Sequence, residues 1–125
     1  MNAQTLAHRA YAQNARSTQT PRGTEYELIA RVTHRIKAAA ESGPRAYPKL
    51  VEALSDNQRL WTALAVDVAD KENALPAELR AQIFYLAEFV QHQTSKVLTK
   101  KGRVRPLLEI NAAILKGLSG RSKQK

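Results

Sequence analysis

Residues 57–90 decide the fold, and they read NQRLWTALAVDVADKENALPAELRAQIFYLAEFV. This stretch contains the only Trp and both Phe residues of the chain, but no recognisable set of catalytic residues. On each side of a polar segment at 70–76, apolar residues recur every three or four positions, which is the period of a helix with one buried face. Asn73 either ends the first helix in the left-handed conformation or caps the second, and Pro76 suits the first turn of the second. The sequence therefore predicts a helical hairpin whose large apolar residues either all belong to the core or partly face a partner.

The helix before the hinge has its apolar residues at alternating spacings of three and four, a pattern typical of helix-on-helix packing. A continuous helix over about 47–69 would be roughly 35 Å long, unless residues 55–57 break it in two. Asn57 is the one polar member of the pattern, and it either caps a helix at that break or lies in a helix interface. The members are Tyr47, Leu50, Leu54, Asn57, Trp61, Leu64 and Val68.

The helix after the hinge, predicted over about 76–100, has an apolar arc that is wider than one packing face requires. Phe84 falls well away from the main stripe, since each residue turns the helix by about 100°. The helix is therefore either central in a bundle or partly exposed for a partner. Its main stripe consists of Leu79, Ile83, Leu86, Val90 and Val97.

A second stripe on this helix is the candidate partner site. Phe84, Gln91 and Leu98 recur every seven residues, with Glu88 beside them. Large apolar residues edged by polar ones are more typical of a partner groove than of a sealed core. We therefore predict that the partner-binding residues are Phe84, Glu88, Gln91 and Leu98.

In the alternative, the N-terminal helix covers this second stripe. Residues 2–14 are predicted to form a weak, Ala-rich helix, in which Leu6 and Tyr11 are the candidate contacts. A loop follows at 18–23, and a capping box then begins the next helix at Thr24.

The chain after the hairpin is predicted to form one more helix. Gly102 ends the helix before it, and Arg105 opens the new one. Gly117 or Gly120 stops this last helix, and residues 119–125 are expected to be a disordered basic tail.

The fold class that these elements predict is all-α: a compact bundle of about five helices with a long central helical hairpin. With 125 residues and 43% hydrophobic content, the chain fits a single domain over residues 1–118 with one modest core. We expect this core to bring together Trp61, Leu64, Leu86, Val90, Ile114 and Leu118.

Composition also indicates a compartment. The chain has no Cys, which excludes disulfides and thiolate metal sites and fits a reducing environment. No stretch approaches the roughly 20 apolar residues that a membrane span needs. The first 24 residues contain no acidic residue, as in a transit peptide, but their apolar content is too weak for a secretory signal. We therefore expect a cytoplasmic protein.

Positive charge is concentrated in the last part of the chain. Residues 96–125 have nine basic residues and one acidic residue, whereas residues 1–95 have eleven basic and ten acidic. Such a cluster either solvates a tail or binds nucleic acid or an acidic partner. RNA-binding modules usually place aromatic side chains beside their basic residues, and residues 96–125 contain none. This absence favours a protein partner over RNA.

No motif indicates an enzyme. A Gly-rich phosphate loop, a nucleophile elbow and a His-Glu-x-x-His pair are all missing from the sequence. His8, His34 and His92 lie far apart, without a second metal ligand at helical spacing. Asp67 and Asp70 share a helical face near a helix C-terminus, where two carboxylates are most simply solvated. We predict a non-enzymatic protein with no cofactor, metal or small-molecule substrate.

Several short motifs occur together in and around the opening stretch. They are RLW at 59–61, NALP at 73–76, LRA at 79–81 and EIN at 109–111, with TPRGTEYEL upstream at 20–28 and KGL at 116–118. Through them, residues 11–118 resemble the FlaF family of flagellar biosynthesis regulators from alphaproteobacteria. Gly23 departs from the family's style, because it puts a flexible residue where a helix is predicted to begin.

The resemblance implies a small helical cytoplasmic protein that is needed for flagellin production and export, and that acts as a flagellin secretion chaperone in at least some members. It brings no catalytic residues. Flagellin is then the expected direct partner, and its amphipathic, poorly folded terminal segments suit binding as a helix in a groove. The alternative is a post-transcriptional regulator that contacts flagellin mRNA or another regulator through the basic C-terminal region.

Overall fold

A computed structural model describes the backbone of residues 21–123 and the side chains of residues 25–117. This part of the chain contains four α-helices and no strand, so the all-α class is confirmed. The predicted helix at 2–14 lies outside the described residues. The elements are α1 (Pro21–Glu41), a 3₁₀ turn (Pro44–Ala46), α2 (Tyr47–Ala69), α3 (Ala77–Leu98) and α4 (Arg105–Lys123).

The helices pack as a bundle around α2. Helix α2 packs against both α1 and α3, α1 also packs against α4, and α3 and α4 share a smaller interface. The α2–α3 pair is the long central hairpin that the sequence predicts.

The core lies between the inner faces of the four helices. Trp61 and Val90 are fully buried in it, and Leu64, Leu86 and Ile114 pack against it while partly buried. The predicted core is therefore confirmed for these five residues, and the side chain of Leu118 lies outside the described residues. Their neighbours include Val32, Ile36, Leu54 and Leu107.

A hydrogen-bonded polar network crosses this apolar core. The Trp61 indole Nε1 donates to Oδ1 of Asn111 over 2.9 Å. The amide Nδ2 of Asn111 donates to Oδ1 of Asn57 and to Oγ1 of Thr33, each at 2.9 Å. Because Thr33 belongs to α1, Asn57 and Trp61 to α2, and Asn111 to α4, the network fixes the alignment of three helices. Asn57 is thus an interface residue, and α2 continues through 55–57 without a break.

The end of α3 differs from the prediction. Lys100, not Gly102, takes the left-handed position, with φ of 61°. The amide of Lys101 donates to the Lys96 carbonyl at 2.8 Å and that of Lys100 to the Val97 carbonyl at 3.0 Å, which is a Schellman pair of bonds. Gly102 is needed for a close approach instead, because a Cβ there would lie 2.8 Å from Cβ of Lys96.

The start of α1 also differs from the prediction. Helix α1 begins at Pro21, so the predicted loop is wrong from that residue on, and Thr24 is inside the helix rather than at its cap. Proline suits a first helical turn because its missing amide hydrogen has no partner there in any case.

Helix α4 and the beginning of α2 bring two further corrections. Helix α4 continues through Gly117 and Gly120, so neither glycine ends it, and its backbone is helical at 119–123, within the predicted tail. A helical glycine costs only about 1 kcal/mol relative to Ala, which does not by itself stop a helix. Tyr47, the first member of the α2 pattern, is exposed rather than in the core.

Candidate functional site

An apolar groove runs between the C-terminal half of α2 and the N-terminal half of α3. It encloses about 370 Å³, and we call it the α2–α3 groove. Small side chains on α2 form its floor and leave space beside the larger residues of α3. The lining residues are Thr62, Ala65, Val66, Ala69, Phe84, Ala87, Glu88 and Gln91.

Two large apolar side chains in this groove are open to solvent. Phe84 is 43% exposed and Val66 is 39% exposed. Isolated exposed apolar residues are common on proteins, but here both line the same concave surface. A partner that covered them would remove both from water at once, which is the main favourable term in most associations.

The polar rim of the groove is partly fixed by hydrogen bonds between the two helices. Gln91 donates from Nε2 to Oγ1 of Thr62 at 2.9 Å, and its Oε1 accepts from Nε2 of Gln58 at 3.0 Å. This bridge closes one end of the groove. Glu88 is exposed and makes no ion pair with any side chain in the range 25–117. It therefore leaves a negative charge at the rim.

The hinge holds the other end of the groove. The Asn73 amide donates from Nδ2 to the Asp67 carbonyl at 3.1 Å, and its Oδ1 accepts from the Leu75 amide at 3.0 Å. Arg80 donates from Nε to the Leu75 carbonyl at 3.2 Å. Asn73 therefore closes the end of α2 through its side chain, without the left-handed conformation, and Pro76 directly precedes α3. These bonds set the separation of α2 and α3 where they meet.

The structure brings three of the four predicted partner residues together. Phe84, Glu88 and Gln91 line the α2–α3 groove. Leu98 does not line it; this residue is partly buried and packs against the core near the end of α3. The stripe of period seven is therefore divided between a surface groove and the interior.

The α2 half of the groove is the part that the sequence prediction missed. Thr62, Ala65, Val66 and Ala69 follow one another at spacings of three, one and three, which places them on one helix face. This pattern can be read from the sequence of α2, next to the buried pattern that includes Trp61. Its residues are small, however, and small residues alone gave no reason to expect an open groove.

Other kinds of site find no support in the described residues. Among them, no three His, Asp or Glu side chains come together in a way that would hold a metal ion. None of the helices traced between residues 21 and 123 is long and apolar enough to cross a bilayer.

The comparison with protein families adds a match that covers most of the chain. The model described as Flagellar protein FlaF matches residues 7–118. The chain belongs to the FlaF family. No curated protein and no solved structure matches it. The matched range includes the hinge, the α2–α3 groove and the polar network.

The fold explains why two of the short sequence motifs occur together. Trp61 of the RLW motif and Asn111 of the EIN motif are hydrogen-bonded to each other. The NALP motif begins with Asn73, whose side chain bonds both sides of the hinge. These motifs therefore maintain the frame of the bundle, and the groove is a separate feature of its surface.

Proposed function

We propose that this member of the FlaF family binds flagellin in the α2–α3 groove and thereby supports the synthesis and export of flagellin. The observation that carries the proposal is the exposed Phe84 side chain in a concave apolar groove between two well-packed helices. The family match gives a flagellar role, and the groove supplies a surface for a protein partner. In this proposal the protein is a cytoplasmic, non-enzymatic secretion chaperone or regulator.

The chemistry of the groove suits an amphipathic helix. Phe84 and Val66 would contact the apolar face of the partner, and small side chains such as Ala65 allow a close approach of its backbone. Glu88 at the rim would pair with a Lys or Arg on the polar edge of the partner helix. The terminal segments of flagellin are amphipathic and poorly folded before assembly, so they offer such a helix.

The length of the groove limits the strength of this binding. From Thr62 to Ala69 the α2 side extends over about 10 Å, since a helix rises 1.5 Å per residue. A partner helix would thus bury roughly two turns. Binding also orders a poorly folded segment, which takes a large share of the interaction free energy. We expect modest affinity, which suits a chaperone that must release its partner for export.

The test is Phe84→Asp, with Tyr85→Asp as the matched control. Tyr85 is the next residue on α3 and is 68% exposed, but it does not line the groove. Flagellin binding is measured by isothermal titration and pull-down, and the fold by circular dichroism and melting temperature. We expect Phe84→Asp to keep its helicity and melting temperature and to lose flagellin, while Tyr85→Asp keeps both.

Two results would contradict the proposal. If Phe84→Asp unfolds, Phe84 belongs to the core. If the variant folds and binds flagellin normally, flagellin binds elsewhere on the protein. Val66→Asp, on the opposite wall, should reproduce the loss, because both residues face the same space.

A further inference from the structure

A second surface lies at the opposite end of α3 from the hinge, where the 3₁₀ turn, the start of α2 and the α3–α4 connection meet. All seven of its cationic side chains are exposed, and none forms an ion pair with the side chains of residues 25–117. Acidic residues near these cations in sequence include Glu41, Glu52, Glu88 and Glu109, and Glu52 lies 3.9 Å from Arg35 instead. We call this surface the basic end, and its cations are Arg45, Lys49, Lys96, Lys100, Lys101, Arg103 and Arg105.

Helix stability does not explain several of these cations. Lys49 is in the first turn of α2 and Arg105 is the first residue of α4, where positive charge opposes the helix dipole. Lys100 occupies a left-handed position that glycine would adopt without steric penalty. Positive charge at Lys49 and Arg105, and a side chain of any kind in the left-handed position of Lys100, are unfavourable for the isolated fold, so a binding role is the simpler account.

The basic end is held in place before any partner arrives. Gln93 is buried and donates from Nε2 to the Arg103 carbonyl at 2.9 Å, which ties the connection to α3. Gly102 lies so close to Lys96 that a Cβ at this position would be 2.8 Å from the Lys96 Cβ, so the same segment passes directly along α3. The cations therefore start from a fixed backbone, and binding has less loop ordering to overcome.

An aromatic side chain lies at this surface. Tyr47 comes from the start of α2, is exposed, and donates from its hydroxyl to the Leu98 carbonyl at 3.3 Å. The Lys100 ammonium lies 5.9 Å from the centre of its ring. The sequence favours a protein partner because residues 96–125 contain no aromatic residue. In the fold, Tyr47 supplies an aromatic ring to this surface from about fifty positions earlier in the chain.

We propose that the basic end binds single-stranded nucleic acid. Its phosphates would contact Lys100, Lys101, Arg103 and Arg105, and a base would stack on the ring of Tyr47. A protein partner is less suited, because Tyr47 is the one large apolar side chain that is exposed at this end within residues 25–117, and protein interfaces depend on apolar anchors. A membrane surface would likewise require an apolar face.

The first test measures the salt dependence of binding. A labelled oligo(U) of about twelve nucleotides, and oligo(dT) of the same length, are titrated with the full chain and followed by fluorescence anisotropy. With the four phosphate contacts proposed, affinity should fall about 50-fold between 50 and 200 mM NaCl. The two oligonucleotides distinguish RNA from DNA. A change of less than about threefold would overturn the proposal.

The second test removes cations without harming the fold. Lys100→Gly with Lys101→Ala should lower the slope of log affinity against log salt by about 1.4. The melting temperature should not fall, because glycine suits the left-handed position. The control is Lys71→Ala with Lys116→Ala, which removes the same charge from sites outside the basic end. If the control weakens binding equally, the attraction comes from net charge alone and the proposal fails.

The third test addresses the stacked base. Tyr47→Ala should weaken binding about 5- to 100-fold without a change in the salt slope, and Tyr47→Phe should retain affinity. Polyglutamate serves as the competing acidic polymer. If polyglutamate displaces the oligonucleotide at equal charge concentration, and Tyr47→Ala has no effect, the basic end binds an acidic protein and the proposal is overturned. None of these variants touches the α2–α3 groove, so the results are independent of flagellin binding.

Discussion

The two faces of α2 differ in how completely their side chains are buried and hydrogen-bonded. On the inner face, Trp61 is fully buried and its indole donor has an acceptor on α4. On the outer face, about one turn further along, Val66 lines an open groove and is 39% exposed. The inner face therefore specifies one arrangement of the helices, and the outer face leaves room for a partner. The contrast teaches that one helix can carry a sealed face and an open face, because residues 61 and 66 are five positions apart and therefore lie about 140° apart around it.

The largest expected effect is at the inner face. Trp61→Ala should lower the free energy of unfolding by about 3–5 kcal/mol, because it removes a fully buried aromatic side chain. That is a large share of the stability of a small domain. Urea unfolding followed by circular dichroism measures the change. The comparison of the two faces would be broken if the loss were below about 1 kcal/mol.

The polar network should show the next largest effect. Asn111→Ala leaves the Trp61 indole without its acceptor and Asn57 without its donor, so we expect a loss of about 2–3 kcal/mol. A double-mutant cycle with Asn57→Ala measures the coupling, which should exceed about 1 kcal/mol for residues in direct contact. Simple additivity of the two single variants would show that the residues act independently and would contradict the network.

The smallest effect sharpens the comparison most directly. Val68→Thr puts a hydroxyl into the inner face, where Val68 is 4% exposed, and should lower the free energy of unfolding by about 1–2 kcal/mol. Val66→Thr makes the same change on the outer face and should cost less than about 0.5 kcal/mol. Thermal unfolding of the two variants provides the measurement. Equal losses would mean that the outer face is as tightly packed as the inner one.

Much of the fold follows from local patterns in the sequence. The spacing of Leu54, Trp61 and Val68 identifies the buried face of α2, since a helix repeats every 3.6 residues and only one face can be covered. The position of the hinge follows from Asn73 and Pro76, but their roles do not: Asn73 acts through its side chain rather than in the left-handed conformation, and Pro76 precedes α3 rather than lying in its first turn. Such features depend on neighbours within a few residues, and so they can be recognised without the structure.

Other features depend on contacts between distant parts of the chain. Asn57 is a helix interface residue because Asn111 meets it, and Asn111 lies 54 residues later. In the sequence Gly102 resembles a helix terminator. In the structure a glycine is needed there because Lys96 comes too close to leave room for a side chain. Phe84, Glu88 and Gln91 were predicted as one stripe, and only the position of α2 shows that they line a groove which Leu98 does not reach.

The dependence of the polar network on α4 has a consequence for synthesis on the ribosome. Asn111, which lies 50 residues after Trp61 and 78 after Thr33, supplies the acceptor or donor that each of them uses. While α4 is still being translated, the nascent chain has the indole donor of Trp61 and the side-chain oxygen of Asn57 but lacks Asn111, the partner of both. A buried group without its partner costs about 1–3 kcal/mol, so the earlier helices gain little from closing early. The bundle therefore completes its fold only after the last helix is made. A prematurely terminated chain would leave the core side chains of the earlier helices exposed to proteases.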